Sequence, residues 1–315
     1  MKKKNISTAT NIAGVRFDSC VFNASGVKDT TYEELEMLSK YSGSTVMKSA
    51  TLKERGANSE PWFHLIGKHD MTQSNGLHNH GHKTYITYSF ALKEKYPGKK
   101  IIASSAGFSI KENVTMVKAF QKSAVDIVIV NCGCPNIEGK PILGYDFKQM
   151  KKLLRALKDI GPKPIGLKLP PYFDPAHWDT LSELILPSDI SVLVCVNSLG
   201  NVLVIDPMTR RTVTRPKNGY AGLSGDKIGE VANANIHAFY TRLGNKVSII
   251  GGGGIRDKLS AFERILAGAD ALEVGTALYR GNYKILSKID CGVSEMLEYH
   301  GFNSIQEAKG QLLYI

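Results

Sequence analysis

The sequence lacks a hydrophobic run long enough to cross a bilayer, and it contains few cysteines. A membrane-spanning helix needs about 20 consecutive apolar residues, and no stretch of the 315 residues approaches that length. The five cysteines are odd in number and include no Cys-x-x-Cys pair, so neither a disulfide framework nor a zinc site is predicted. Residues 1–7 are basic but lack the apolar stretch of a signal peptide. We therefore expect a cytoplasmic protein with no membrane partner.

Two nucleotide-binding motifs are also missing. No Gly-x-Gly-x-x-Gly follows the first strand-like run, and no glycine-rich loop ends in Gly-Lys-Ser/Thr, which argues against a Rossmann dinucleotide site and a P-loop. The formal net charge of +11 favours anionic ligands and permits contact with nucleic acid. The lysines are nevertheless spread along the chain, and no RNA- or DNA-binding signature occurs. We predict small anionic ligands and no nucleic-acid partner.

The chain does contain a regular alternation of short β-branched runs and segments with helical spacing. The predicted strands are 19–23, 44–48, 100–104, 125–130, 163–168, 191–196, 246–250 and 270–274. The predicted helices are 32–39, 110–123, 148–160, 178–185, 228–243, 258–266 and 284–299. Eight strands joined by crossover helices favour an α/β fold, one (β/α)8 TIM barrel, with residues 1–315 forming a single domain. Two long polar insertions, 51–82 and 199–225, are predicted to be structureless loops that build or cover a site above the carboxyl ends of the strands.

One of these strands leads into a loop that carries candidate catalytic groups. Residues 131–147 follow the apolar run 125–130 and contain a cysteine, carboxamides and prolines between glycines. Reacting groups of a barrel collect at the carboxyl ends of its strands, so Cys134, between Asn131 and Asn136, is the first candidate for a catalytic acid or base. A thiol with an ordinary pKa of about 8.5 is a usable base if its surroundings favour the thiolate. The alternative is a buried structural cysteine in a turn.

Glycine-rich segments and strand-end lysines indicate a phosphate-bearing ligand. Glycine lets backbone N–H groups approach an anion closely, and three such segments, 221–227, 251–256 and 275–276, occur late in the chain. Each alone is also compatible with a tight turn. Lys48 and Lys168 end two predicted strands, where a buried ammonium group needs an anionic partner. The N1–C2=O edge of a flavin would provide one, and the alternative is that each ammonium group reaches solvent.

Several motifs together resemble a known family. They are Asn23-Ala-Ser-Gly-Val, Asn131-Cys-Gly-Cys-Pro-Asn, Lys168-Leu-Pro-Pro-Tyr-Phe-Asp and Gly251-Gly-Gly-Gly-Ile. With them, the chain resembles the fumarate-using, class 1A dihydroorotate dehydrogenases over nearly its whole length. The resemblance implies an FMN-bearing barrel, commonly a homodimer, that oxidises (S)-dihydroorotate to orotate in de novo pyrimidine (UMP) biosynthesis. It also implies fumarate as the electron acceptor.

The resemblance assigns roles to individual residues. Cys134 matches the family cysteine that removes the C5 proton of dihydroorotate, and Cys132 does not match it. The substrate-binding positions correspond to Lys48, Gln73, Asn75, Gly76, Leu77, Asn131, Asn136, Asn197 and Ser198. The FMN-binding positions correspond to Ala24, Gly26, Lys48, Ser49, Asn131, Lys168, Val196, Gly222, Gly225, Gly252, Gly253, Gly275 and Thr276.

The segment that would touch the substrate departs from the family pattern. It reads Gln73-Ser-Asn-Gly-Leu-His-Asn, where members usually have Asn-Ser-Met-Gly-Leu-Pro-Asn. A paralogous FMN oxidoreductase acting on another dihydropyrimidine or an enone is therefore an alternative. A non-redox pyrimidine- or tRNA-binding relative is a second alternative, because dihydrouridine synthases share the barrel, FMN and a catalytic cysteine.

Three alternating histidines, His78, His80 and His82, invite a metal interpretation. Alternating positions of an extended segment share one face, and imidazoles are common zinc ligands. No neighbouring carboxylate or thiol completes an evident ligand set. We therefore expect solvent-facing loop histidines and no metal site.

Overall fold

The computed structural model describes residues 6–315, so the first residues of the predicted 1–315 domain and most of its basic N-terminus lie outside the described residues. The strands are β1 (Thr10–Ile12), β2 (Val15–Phe17), β3 (Val21–Asn23), β4 (Thr45–Ala50), β5 (Phe63–Ile66), β6 (Asp70–Gln73), β7 (Ile101–Ser105), β8 (Ile127–Asn131), β9 (Ile165–Leu169), β10 (Ile190–Cys195), β11 (Leu199–Leu203), β12 (Ile205–Asp206), β13 (Arg211–Thr212), β14 (Tyr220–Gly225), β15 (Ser248–Gly252) and β16 (Ala271–Val274). The α-helices are α1 (Tyr32–Tyr41), α2 (His82–Lys95), α3 (Ile110–Gln121), α4 (Phe147–Ala156), α5 (Pro175–Ile185), α6 (Gly229–Leu243), α7 (Lys258–Ala267), α8 (Thr276–Arg280), α9 (Lys284–His300) and α10 (Ile305–Ala308).

Eight strands form one parallel sheet in the order β3-β16-β15-β10-β9-β8-β7-β4. The side chain of Asn23 joins the two end strands, because its Nδ2 donates to the Val46 carbonyl at 2.8 Å and its Oδ1 accepts from the Val46 N–H at 3.0 Å. Helices cover the outside of the sheet, so its strands are buried on both faces and read as continuous apolar runs. The predicted TIM barrel is confirmed, and each predicted strand overlaps one strand of the barrel.

All seven predicted helices are present, but α2 and the short helices α8 and α10 were not predicted. Of these three, α2 is the longest. Its buried side chains are His82, Tyr85, Ser89 and Leu92, so it lacks the apolar periodicity from which an amphipathic helix is normally predicted. The N-termini of other helices have clear signals. Helix α1 begins with a capping box between Thr31 and Glu34, and its start fixes the segment that follows β3.

The two long insertions are not structureless loops, and that prediction was wrong. Strands β5 and β6 of the first insertion pair with β11 and β14 of the second in an antiparallel sheet of order β11-β14-β6-β5. The register places Gly222 opposite Gln73 and Gly225 opposite Asp70. The pairing partners are far apart in the sequence, and strand preference depends on the partner, so neither insertion shows the pairing by itself. The sheet lies over the carboxyl ends of the barrel strands, where the insertions were expected.

The amino-terminal end of the barrel carries a short hairpin of β1 and β2. Its side chains Ile12 and Phe17 are buried, and Thr10 donates a hydrogen bond to the carbonyl of Asp270, which precedes β16. The hairpin therefore closes this end of the barrel, and the open end is the one under the antiparallel sheet. None of the helices in residues 6–315 has the length and apolar character needed to span a membrane.

Candidate active site

A cavity of about 1030 Å³ opens at the carboxyl ends of the barrel strands, beneath the antiparallel sheet. Its wall includes residues that lie in a barrel strand or directly after it, and the strands concerned are β3, β4, β8, β9, β10, β15 and β16. Strands β6 and β14 contribute from above through Gln73 and Ser224. Barrel enzymes place their reacting groups at this end, so this cavity is the candidate active site.

The structure brings almost all of the predicted site residues together at this cavity. Those that line it are Ala24, Gly26, Lys48, Ser49, Gln73, Asn75, Leu77, Asn131, Cys134, Asn136, Lys168, Val196, Asn197, Ser198, Gly225, Gly252, Gly253, Gly275 and Thr276. Gly76 and Gly222 do not. A Cβ atom on Gly222 would lie 2.6 Å from the Ser198 hydroxyl oxygen, so this glycine permits β14 to pack closely rather than forming the wall. Gly76 has φ +77°, and its carbonyl accepts a hydrogen bond from Arg55 Nε at 2.6 Å.

The two cysteines of the loop after β8 occupy different environments. Cys132 is buried in the core, burial raises the pKa of its thiol to about 12, and its Sγ faces the Val130 carbonyl. Such a group stays protonated and is shielded from ligands. Cys134 is only partly buried and lines the cavity. The neighbouring Gly133 N–H donates to Asn131 Oδ1 at 3.1 Å and fixes the loop to the end of its strand.

The pKa of the Cys134 thiol is raised, and burial is the largest cause. Several groups act in the opposite direction: the backbone N–H of Asn136 and the ammonium groups of Lys140, Lys48 and Lys217. Positive charge around a thiol favours its thiolate. The thiol is therefore mostly protonated at neutral pH in this structure, in surroundings that stabilise the thiolate once the proton leaves.

Carboxamide side chains form two hydrogen-bonded groups beside Cys134. Asn197 Nδ2 donates to Asn131 Oδ1 at 3.0 Å, and Asn131 Nδ2 donates to the Ser49 hydroxyl at 3.1 Å. On the other side, Asn136 Nδ2 donates to Gln73 Oε1 at 2.9 Å, while Asn136 Oδ1 is buried without a partner among the described residues. A buried polar atom normally has a partner. The oxygen therefore has an acceptor capacity that the described residues do not use, on a residue that lines the cavity.

The strand-end lysines have different partners. Lys168 forms a buried ion pair with Glu273, with Nζ 2.5 Å from Oε2. Lys48 is buried, and its Nζ lies 3.4 Å from the Gly26 carbonyl. The expected flavin edge is thus not the only anionic partner for Lys168. Sequence reasoning missed Glu273, and the signal that could have identified it is an acidic residue inside the apolar run of β16.

Glycines and hydroxyl groups dominate the far end of the cavity. Gly252, Gly253 and Gly275 line it, and Thr276 donates to the Ser224 hydroxyl at 3.0 Å. Gly225 has φ +109° and lies so close to the turn between β5 and β6 that a Cβ atom would be 2.3 Å from the His69 carbonyl oxygen. Sequence reasoning missed Lys68, His69 and Arg280, which also line the cavity. Lys68 and His69 belong to the first insertion and Arg280 is the last residue of α8, and none of the three lies in a motif.

The three alternating histidines do not form a cluster. His82 is buried and its Nδ1 lies 2.9 Å from the Leu52 carbonyl, whereas His80 stacks on Tyr85. His78 lines the cavity, and its Nδ1 is buried with no partner in the described part of the chain. The expectation that all three face solvent was therefore wrong, because α2 begins at His82 and turns its side chain inward. No group of three or more potential metal ligands occurs in the part of the chain that the structure describes.

Comparison with known proteins identifies the family of this chain. The family model described as dihydroorotate dehydrogenase matches residues 7–297. A Streptococcus equi protein, provisionally named dihydroorotate dehydrogenase A (fumarate), is 39% identical over 98% of this chain and 99% of its own length. A Saccharomyces mikatae protein named dihydroorotate dehydrogenase (fumarate) is 37% identical over 97% of this chain and 98% of its own.

A solved structure confirms the fold. The Eimeria tenella enzyme, crystallised as DHODH in complex with ferulenol, superposes with a TM-score of 0.81 and covers 98% of this chain and 89% of its own, at 18% identity. At that identity the likeness concerns the barrel alone, whereas the full-length sequence relatives define the family. The chain is therefore an oxidoreductase of the dihydroorotate dehydrogenase family, and it belongs with the fumarate-type, class 1A members.

Proposed function

We propose that this enzyme oxidises (S)-dihydroorotate to orotate in de novo pyrimidine biosynthesis, with FMN as cofactor and fumarate as electron acceptor. The observation that carries the proposal is that Cys134 and two hydrogen-bonded carboxamide groups line one cavity, together with several glycines. The names of the full-length relatives support the substrate and the acceptor. We further propose that residues 1–315 act as one domain and that the enzyme is cytoplasmic.

The residues at the glycine-lined end fit the phosphate of FMN. A Cβ atom on Gly275 would point towards Ala24, which lines the cavity, with the Ala24 Cβ 3.5 Å away. Any side chain at that position would reduce the space, so the glycine keeps it open. Lys48, Ser49 and Lys168 would hold the flavin ring from the strand ends. Bound FMN would supply the acceptor for the hydride that leaves C6 of dihydroorotate.

In the proposed mechanism, Cys134 removes the proton from C5. Its thiolate Sγ accepts the proton as the C5–C6 bond becomes a double bond. Because burial raises the pKa of this thiol, Cys134 must lose its own proton before the step, and the surrounding cations reduce the cost of that loss. Asn131, Asn136 and Asn197 bind the ring, because carboxamides match the alternating C=O and N–H groups of a pyrimidine. The electron pair is finally delivered to fumarate, which takes up two protons and becomes succinate.

The segment 73–79, which departs from the family sequence pattern, lies at the proposed binding site of the pyrimidine ring. Gln73 reaches the Asn136 carboxamide, and Asn75 Oδ1 accepts the Leu77 N–H at 3.0 Å. Both side chains are therefore engaged within the protein. We propose that Asn136 and Gln73 bind the pyrimidine together as a hydrogen-bonded pair. A substrate other than dihydroorotate is the alternative outcome of the experiment below.

Anaerobic reduction tests this function. Dihydroorotate should bleach the flavin of the purified holoprotein, and fumarate should restore the colour. Cys134→Ser should retain the flavin but slow bleaching by about 10²- to 10⁴-fold, because it removes the general base. Cys291→Ser is the matched control, since this cysteine is exposed on α9. Flavin that stays oxidised with dihydroorotate but is bleached by another dihydropyrimidine or an enone would overturn the substrate, and an unchanged rate in Cys134→Ser would overturn the base.

A further inference from the structure

Arg280, the last residue of α8, is bound to the protein at only part of its guanidinium group. Its Nη2 donates to the carbonyl oxygens of Gly67 at 2.6 Å and Asp70 at 3.1 Å. Its Nε is buried and has no partner among the described residues, and the side chain lines the cavity. A buried charged donor without a partner is costly. The described protein groups therefore leave part of the donor capacity of this guanidinium unused, at a residue that lines the cavity.

The positive charge of Arg280 is not balanced by a carboxylate of the described residues, so an anion is the acceptor that suits it. Two other cations that line the cavity are paired with carboxylates: Arg256 with Asp226 at 2.6 Å, and Lys168 with Glu273. Within residues 6–315, no carboxylate lies at ion-pair distance from Arg280. Guanidinium groups suit phosphate because they offer several N–H donors in one plane.

The position of Arg280 on α8 places it near the proposed phosphate site. Thr276, whose hydroxyl lines the glycine-rich end of the cavity, lies four residues earlier on the same face of the helix. We propose that Arg280 binds the phosphate group of FMN and ties it to the antiparallel sheet; this inference rests on FMN being the cofactor. No motif of the sequence marked this residue.

The same contacts connect the phosphate end of the cavity with the substrate end. Gly67 and Asp70 frame the turn between β5 and β6, and Arg280 holds the carbonyl groups of both. Strand β6 then runs to Gln73, which bonds Asn136 in the loop of the candidate base. A phosphate bound to Arg280 would fix this guanidinium and thereby the strand that carries Gln73.

Titration of the full-length, flavin-free chain with FMN and with riboflavin tests the proposal, because riboflavin lacks only the phosphate. Arg280→Gln should weaken FMN binding by about 10- to 100-fold, as expected for loss of a charge-assisted hydrogen bond, and leave riboflavin binding within about 2-fold. Arg280→Lys should give an intermediate loss, because it keeps the charge. Arg242→Gln is the matched control, since Arg242 pairs with Asp179 on the surface and should change neither affinity.

Hydrogen exchange gives a second readout. In the wild type, FMN should slow amide exchange in residues 63–73 more than riboflavin does, and Arg280→Gln should abolish that difference. Equal weakening of FMN and riboflavin by Arg280→Gln, or no weakening of either, would overturn the role of Arg280 while leaving FMN as cofactor. Failure of the wild type to bind FMN would instead overturn the proposed function. Riboflavin binding by each variant reports that its cavity is folded.

Discussion

Asp29 shows how strongly burial affects a single residue beside this site. The side chain is fully buried, its Oδ2 accepts the Gly26 N–H at 2.7 Å, and its Oδ1 has no partner among the described residues. Burial raises the pKa of Asp29 to about 7, and the ammonium group of Lys48 only partly offsets this. The carboxyl group is therefore protonated in the folded chain at mildly acidic pH, although an aspartate in the unfolded chain is ionised above about pH 4.

The raised pKa of Asp29 predicts a pH-dependent stability. Folding takes up a proton between about pH 4 and pH 7, so the contribution of Asp29 is complete below pH 4 and is lost as the pH rises to 7. The loss is on the order of 4 kcal/mol. Asp29→Asn should remove it, so the variant gains free energy of unfolding relative to the wild type as the pH rises. Urea unfolding of the flavin-free chain between pH 4.5 and 8 measures this difference.

The matched control for Asp29 is Asp18→Asn, because Asp18 is exposed. Its difference from the wild type should change little over the same pH range. A difference between Asp29→Asn and the wild type that stays constant with pH would contradict the assignment of the buried proton to Asp29.

At the scale of elements, the packing of β14 against the turn after β5 shapes the end of the cavity. Gly225 ends β14 opposite Asp70, and it has φ +109°. Its Cα lies so close to the His69 carbonyl that there is no room for a side chain. The contact requires glycine for two independent reasons, the left-handed conformation and the close approach.

Substitution of Gly225 by alanine should push β14 away from the turn between β5 and β6. Gly225→Ala should lower the free energy of unfolding by about 2–4 kcal/mol, since it combines a strained φ with a clash, and should weaken FMN binding. Gly14→Ala is the matched control, because Gly14 has φ +85° but no atom within 4 Å of the added Cβ, and it should cost only about 1 kcal/mol. Equal losses in urea unfolding for the two variants would show that the contact of β14 with the turn is unimportant.

At the scale of the whole molecule, the antiparallel sheet and the hairpin of β12 and β13 expose several apolar side chains. Those concerned are Leu65, Leu203, Ile205, Met208 and Tyr220. Leu203 and Tyr220 lie opposite each other across β11 and β14, and adjacent exposed apolar side chains favour association. We propose that this face forms the homodimer interface expected from the family resemblance.

The dimer proposal predicts an assembly of twice the chain mass in analytical ultracentrifugation. The double substitution Ile205→Glu and Met208→Glu should convert it to a monomer at micromolar concentration, because the charges would be buried without partners. Leu259→Glu, a substitution of an exposed leucine on α7, should leave the dimer intact. A monomeric wild type, or a double variant that remains dimeric, would contradict the choice of this face.

The sequence by itself determined the barrel and the identity of its chemical groups. The eight strands are buried on both faces, so each one produces a local apolar run, and Cys134, Lys48 and Lys168 are recognisable because they follow such runs. Helix α2 escaped prediction because its inward face contains His82 and Ser89 rather than an apolar stripe.

Only the tertiary structure decided how the two insertions meet. Three contacts join residues that are far apart in the chain. They are the strand pairing of Gly222 with Gln73, the hydrogen bond between Gln73 and Asn136, and the hydrogen bond from Arg280 to the Gly67 carbonyl. Such contacts depend on the partner and on the geometry of the barrel that carries both segments, so neither segment encodes them alone. The chemical groups of the site can thus be read from local pattern, whereas the shape that selects and holds the ligands exists only after the chain has folded.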